Sequence, residues 1–229
     1  MSTAFQKASN YIDEHRDEII AFLEKMISFQ SINPAYPDTG KELELQQWLR
    51  DRFNEFGFDT VDFWAVDEKQ ERPNVVGVRK GKGGGRSLKL NGHADVVPVP
   101  SEELPKWNTD PWKAEIKDGK LYGRGASDMK GGLTSIIWAV KALMDTGAVL
   151  KGDLFVESVV GEESGEGANL GAQAAVDRGY KADFCIVGEP SHGAIRMRSP
   201  GIFFFELVIP GKEAHIANRN LAVFPQKYG

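Results

Sequence analysis

The chain has 229 residues, 41% of them hydrophobic and 27% charged, with a formal net charge of −5. That balance is the one expected of a soluble globular chain long enough to bury a core, and its acidic excess gives no electrostatic reason to expect nucleic acid as a partner. A single cysteine excludes an internal disulfide framework.

No run approaches the roughly 18 apolar residues of a membrane span. The first residues also lack the basic and apolar regions of a signal peptide. A reducing cytoplasm is the expected compartment.

Apolar residues at helical spacing from Ile12 to Ile27 predict one amphipathic helix over about 3–28, with Asn33-Pro34 as a breaker beyond it. His15 falls in a charged stretch of that helix and is expected to be solvated. A second helix is predicted over about 40–56, its stripe formed by Leu45, Trp48, Leu49, Phe53 and Phe56, with Gly57 as its C-cap. Strands follow at about 58–65, 74–79 and 87–92, the last two joined by a glycine-rich, hairpin-like turn over 80–86.

The stretch 98–125 is irregular, with Asp118-Gly119 as a tight turn between two short strands. A helix over about 131–146, a strand at 153–160, a helix at 165–178 and a strand at 182–187 come next. The last strand is almost wholly apolar. It is expected to be buried on both faces, with Cys185 a core residue. Alternating strands and helices predict an α/β fold built on a mixed, largely parallel twisted sheet flanked by helices. Past Ile195 the pattern changes, and paired strands are expected over 196–209.

Acidic and imidazole residues recur where strands end. His93 and Asp95 close the third strand, and in an extended segment residues two apart share a face. Asp128 precedes a helix, Glu162-Glu163 follow a strand directly, and so does Glu189. Each has an ordinary reading: a strand-end pair, a helix cap, a solvated pair, a loop acid. In a parallel sheet, however, the carboxyl ends of strands lie side by side and ligands bind there.

Asp95, Asp128, Glu162, Glu163 and Glu189 would then meet around one imidazole. Carboxylates so gathered repel one another unless a cation joins them. Mixed histidine and carboxylate ligation suits zinc, manganese or cobalt, and two ions about 3.5–4 Å apart define two-metal hydrolases.

The segments Leu90-Asn-Gly-His-Ala-Asp-Val-Val97, Trp107 with Asp110-Pro-Trp112, the long run from Asp118 to Gly132, Gly161-Glu-Glu163 and Gly188-Glu-Pro-Ser191 follow one another in a known order. They resemble the dinuclear zinc hydrolases that include acetylornithine deacetylase, succinyl-diaminopimelate desuccinylase, aminoacylase and glutamate carboxypeptidase.

The resemblance implies that His93 and Glu189 bind one ion, Asp128 bridges both and Glu163 binds the other. Two divalent ions, zinc or else cobalt or manganese, are the implied cofactors. Asp95 would orient the His93 ring, and Glu162 would act as general base. The Asp128–Met129 peptide would be cis. Glutamate at 189 leans toward N-acyl amino acids, with a short peptide as the second candidate substrate.

The same resemblance divides the chain into a catalytic metal-binding domain over 1–198 and the start of an α+β lid, or dimerisation domain, over 199–229. His215 would resemble a lid histidine that reaches a partner subunit's site and stabilises the oxyanion. Family members run further and supply a last histidine to the second metal. The chain is therefore expected to be a fragment or a shortened relative, with exposed apolar surface. A homodimer through the lid is the implied assembly of a full-length form, and an inactive metal-binding fragment is the alternative product.

Overall fold

The computed structural model describes residues 3–36, 40–67, 69, 71–163, 170–198 and 208. The chain divides into Met1–Ala194 and Ile195–Gly229, and the architecture that follows is that of the first unit. His215 and most of the expected lid lie outside the described residues. So do most of the strands expected over 196–209; the described residues 195–198 have no regular structure.

Two helices replace the single one predicted at the N-terminus: α1 (Ala4–Glu14) and α2 (Arg16–Ser28). The break falls on His15, and its cause is local. The His15 ring stacks on Tyr11 at 3.8 Å, and its Nδ1 lies 2.8 Å from the Tyr11 carbonyl. His15 is thus half-buried rather than solvated.

Helix α3 (Glu42–Phe56) ends on Gly57, whose φ of 81° places it in the left-handed region that favours glycine. Strands β1 (Thr60–Asp67), β2 (Arg72–Arg79) and β3 (Leu88–His93) come next. The short hairpin of β4 (Glu115–Lys117) and β5 (Lys120–Tyr122) turns on Asp118-Gly119, both at positive φ. Helix α4 (Lys130–Asp145), strand β6 (Leu154–Val159), helix α5 (Leu170–Asp177) and strand β7 (Phe184–Val187) complete the described elements.

The main sheet is mixed, in the order β1-β2-β6-β3-β7. Strands β1, β2 and β6 pair antiparallel, whereas β3 pairs parallel with both β6 and β7. β6 therefore stands between β2 and β3. The glycine-rich stretch over 80–86 is a crossover rather than a hairpin, and it is tied to the chain before β6 by Lys82 N–H to Leu150 O and Gly83 N–H to Lys151 O.

Helices α2, α3 and α4 supply one apolar layer. Phe22, Met26, Leu45, Leu49, Phe53, Leu133 and Ile137 bury their side chains there against Val75, Leu90 and Val156. Burial of this kind is the main favourable term in folding.

The expectation for the last strand is corrected. β7 is the edge of the sheet among the described residues, and Phe184, Ile186 and Val187 are about half exposed. Cys185 is exposed as well, not a core residue. An apolar run reports that a strand is able to be covered; which neighbours cover it is set by elements distant in sequence.

Candidate metal centre

The parallel half of the sheet brings the acids together. β3, β6 and β7 point their carboxyl ends the same way, and His93, Glu162-Glu163 and Glu189 lie at or just past those ends. Asp128 reaches the same place from the loop before α4, and its peptide bond to Met129 is cis. Two glycines fix the approach of that helix. A Cβ on Gly132 would sit 1.8 Å from the Gly188 carbonyl oxygen, so the start of α4 lies directly against the residue before Glu189.

His93 is buried, and its two ring nitrogens have different company. Nδ1 lies 2.9 Å from the backbone carbonyl of Asp95 and donates to it. Nε2 faces three carboxylates: Asp128 Oδ1 at 3.2 Å, to which it donates when the ring is protonated, Glu189 Oε1 at 3.6 Å and Glu162 Oε2 at 3.7 Å. In the neutral ring the same nitrogen holds the lone pair a metal needs. His93, Asp128 and Glu189 each offer a ligand atom within 4.8 Å of the others.

The sequence assigned the Asp95 side chain to the His93 ring. The geometry gives that hydrogen bond to the Asp95 main chain, with the nearer carboxylate oxygen 3.7 Å from Nδ1. The carboxylate turns instead to the Glu162-Glu163 segment, accepting from the backbone N–H of Glu162 at 3.3 Å and of Glu163 at 3.0 Å.

Charge crowding is visible in the proton affinities. Burial pushes Glu163 up to about 7, with the Asp128 charge adding to it against the pull of His93. Burial likewise raises Glu189 to about 7, again opposed by His93 and reinforced by Asp128 and Glu162. For His93 burial works downward. The hydrogen bond with Asp128 and the charges of Asp95, Glu189 and Glu162 outweigh it and lift the ring to about 9. Asp128 is held below its ordinary value, first by that hydrogen bond to His93.

A part-buried cluster of acids that keeps protons near neutrality is suited to a cation. One imidazole nitrogen among carboxylate oxygens is a donor set that fits a divalent transition metal.

Sequence reasoning missed two neighbours of this cluster. Asn33, read as part of a helix breaker, donates from its side-chain amide to Asp95 Oδ2 at 2.6 Å. Glu157, one rung behind His93 on the same sheet face, is fully buried and accepts from Asn91 at 2.8 Å. An inward polar residue on a central strand was the signal available for Glu157. Nothing in the local pattern singles out Asn33. A cavity of about 360 Å³ opens beside the cluster on this face, lined among others by Lys89, Asn91, Glu162, Gln173, Val187 and Glu189.

An imidazole and several carboxylates thus meet at the carboxyl ends of the parallel strands, the place where open α/β sheets bind their ligands. The model of peptidase family M20/M25/M40 matches residues 90–221, and the chain belongs to that family.

It is 42% identical over 182 residues to an N-formyl-4-amino-5-aminomethyl-2-methylpyrimidine deformylase of Bacillus subtilis, covering 79% of this chain and 40% of the relative. It is 31% identical over 211 residues to a succinyl-diaminopimelate desuccinylase of Polynucleobacter necessarius, covering 88% of this chain and 53% of that protein. Among solved structures, human carnosine dipeptidase 1 superposes with a TM-score of 0.66 at 23% identity, covering 80% of this chain and 40% of the dipeptidase; this likeness concerns the fold. The chain thus spans about half or less of the length of these relatives.

Proposed function

We propose that this chain carries the metal-binding part of an amidohydrolase that removes a small acyl group from an amine. The observation that carries the reading is the single nitrogen, His93 Nε2, ringed by Asp128, Glu162 and Glu189 within 3.7 Å. His93 and Glu189 would hold one divalent ion, zinc or else cobalt or manganese. Asp128 would be shared with a second ion, on which Glu163 would sit. When bound, such ions supply Lewis acidity to the amide carbonyl and to the attacking water.

The remaining chemistry belongs to the chain's own residues. Glu162 takes the proton from the attacking water and returns it to the departing amine. The backbone of Asp95 keeps the proton of His93 on Nδ1, so that Nε2 faces the ion. His215, outside the described residues, is proposed to stabilise the oxyanion from a partner subunit, through a lid beginning near residue 199. A homodimer and a cytoplasmic setting belong to the same reading.

Family relatives that act on N-formyl and N-succinyl amides support an acylated amine as substrate. An N-acyl amino acid is the first candidate and a short peptide the second.

The test uses zinc-loaded 229-residue chain and N-formyl, N-acetyl and N-succinyl amines, with release of free amine as the readout. Glu162→Gln is expected to lower turnover by about 10²–10⁴-fold, the usual share of a general base, with zinc content unchanged. Undiminished turnover in that variant would refute the base assignment. An inactive wild-type chain that still binds zinc would favour the reading of a metal-binding fragment.

A further inference from the structure

Asp95 is fully buried, and both parts of it are used. Its backbone oxygen receives His93 Nδ1–H, and its carboxylate receives the amides of Glu162 and Glu163. The residue is therefore the joint between the imidazole and the two adjacent acids. What holds the joint is Asn33, itself fully buried and 62 positions earlier in the chain.

The orientation of the Asn33 amide follows from its neighbours. Its Oδ1 accepts from the backbone N–H of Ala35 at 2.9 Å, so Nδ2 is the group that faces Asp95, and it donates to Oδ2 at 2.6 Å. An aspartate at 33 would keep the first bond and set a second carboxylate against Asp95.

The segment around Asn33 is anchored to the same region by separate bonds. Ile32 and Val96 form a parallel bridge. Asn33 N–H donates to Val96 O at 3.0 Å and Val96 N–H to Ser31 O at 2.9 Å. The Ser31 hydroxyl donates to Ala94 O at 2.7 Å. Further along, the Tyr36 hydroxyl donates to the backbone oxygen of Glu163 at 2.9 Å. The stretch Ser31–Tyr36 thus grips both partners of the joint, the strand end carrying His93 and the turn carrying Glu162-Glu163.

We infer that Asn33 is a positioning residue of the metal centre, acting through Asp95 to hold the His93 ring and the Glu162-Glu163 turn in register. This rests on the metal-site reading above for its consequence in affinity, whereas the restraint on the turn stands on the hydrogen bonds alone. A merely structural role would lower overall stability and leave both properties in place.

The experiment compares wild type, Asn33→Ala, Asn33→Asp and a control, Leu49→Ala, whose site lies in the helical layer of the core. Zinc affinity is measured by chelator competition, and the visible spectrum of the cobalt form reports ligand geometry. Backbone amide exchange at Glu162 and Glu163 is followed by NMR in metal-free protein.

Both Asn33 variants are expected to bind zinc about 10–100-fold more weakly, the usual cost of losing an outer hydrogen bond at a metal site. They are also expected to alter the cobalt spectrum and to exchange the two amides at least tenfold faster. Leu49→Ala should lose stability without these changes. Unchanged amide exchange in folded Asn33→Ala overturns the proposal, even where zinc binds normally. Faster exchange confined to the turn in a chain that binds no zinc upholds the positioning role and sinks the metal reading instead.

Discussion

Between about pH 5 and 9 the metal-free protein should lose stability as the pH rises, and a divalent cation should cancel the loss. Glu163 and Glu189 are held at about 7 in the fold against an ordinary 4.5. In the unfolded chain both are ionised above roughly 4.5. The folded state therefore binds more protons across the interval between these values, and stability falls with rising pH there.

His93, raised to about 9, acts in the same direction. The proton it keeps in the fold contributes fully below its unfolded value of about 6.5, and that contribution is gone once the pH has passed about 9. Asp128, held below its ordinary value, contributes stability that is fully present across this interval and is lost only in more acidic solution.

A carboxyl moved this far corresponds to about 3 kcal/mol when wholly desolvated. The Glu189 side chain is 39% exposed and Glu163 is partly so, and solvent screening reduces the figure to about 1 kcal/mol each. At about 2–4 °C per kcal/mol for a chain of this size, the pair accounts for a fall in Tm of about 4–8 °C. Zinc at a hundred times its Kd adds about 2.7 kcal/mol, and the gain is largest at high pH, where its ligands are already deprotonated.

The assay is thermal unfolding followed by circular dichroism across this range, in chelator and in zinc. A metal-free Tm that stays level or climbs would refute the reasoning. So would an undiminished fall in the double variant Glu163→Gln/Glu189→Gln.

Three further outcomes are expected. Asp128→Asn should lower zinc affinity by more than the roughly 10–100-fold cost of an outer-sphere change, whereas Asp118→Asn, in the β4–β5 turn, should leave it unaltered; isothermal titration decides. Arg72→Leu should destabilise by about 3–5 kcal/mol in urea unfolding, because it strands Glu42, which now receives two hydrogen bonds from the guanidinium at 2.7 and 3.0 Å inside the protein. Adding Glu42→Leu to that variant should recover most of the loss, since the pair exchanged for two apolar side chains leaves no buried charge behind.

His93, Glu162-Glu163 and Glu189 were legible because each sits at the end of a segment that already declares a strand, and Asp128 because it stands just before a helix. Knowing that β3, β6 and β7 run parallel is enough to place His93, Glu163 and Glu189 at one edge. Pairing order was not legible. The adjacency of β6 to β2 joins residues about 80 positions apart, and local composition is silent about it, hence the misread crossover at 80–86.

Burial of β7 failed for the same reason: hydrophobicity is a property of the strand, coverage a property of its neighbours. At His15 the ring nitrogen competes for the Tyr11 carbonyl at 2.8 Å, a side-chain to main-chain contact that the spacing of apolar residues does not register. Asn33 is the deepest omission. Its meaning comes from a carboxylate on the far side of one intervening helix and three strands, and a polar residue before a proline reads locally as punctuation.

The contact between Gly132 and Gly188 gives the acidic cluster a built-in gauge. Because neither position carries a side chain, the interval between Asp128 and Glu189 is written in main-chain thickness, and a single methyl at 132 would act as a shim. Such a shim would spread two prospective ligands without touching either, so the ion that the cluster prefers is open to retuning from residues that coordinate nothing.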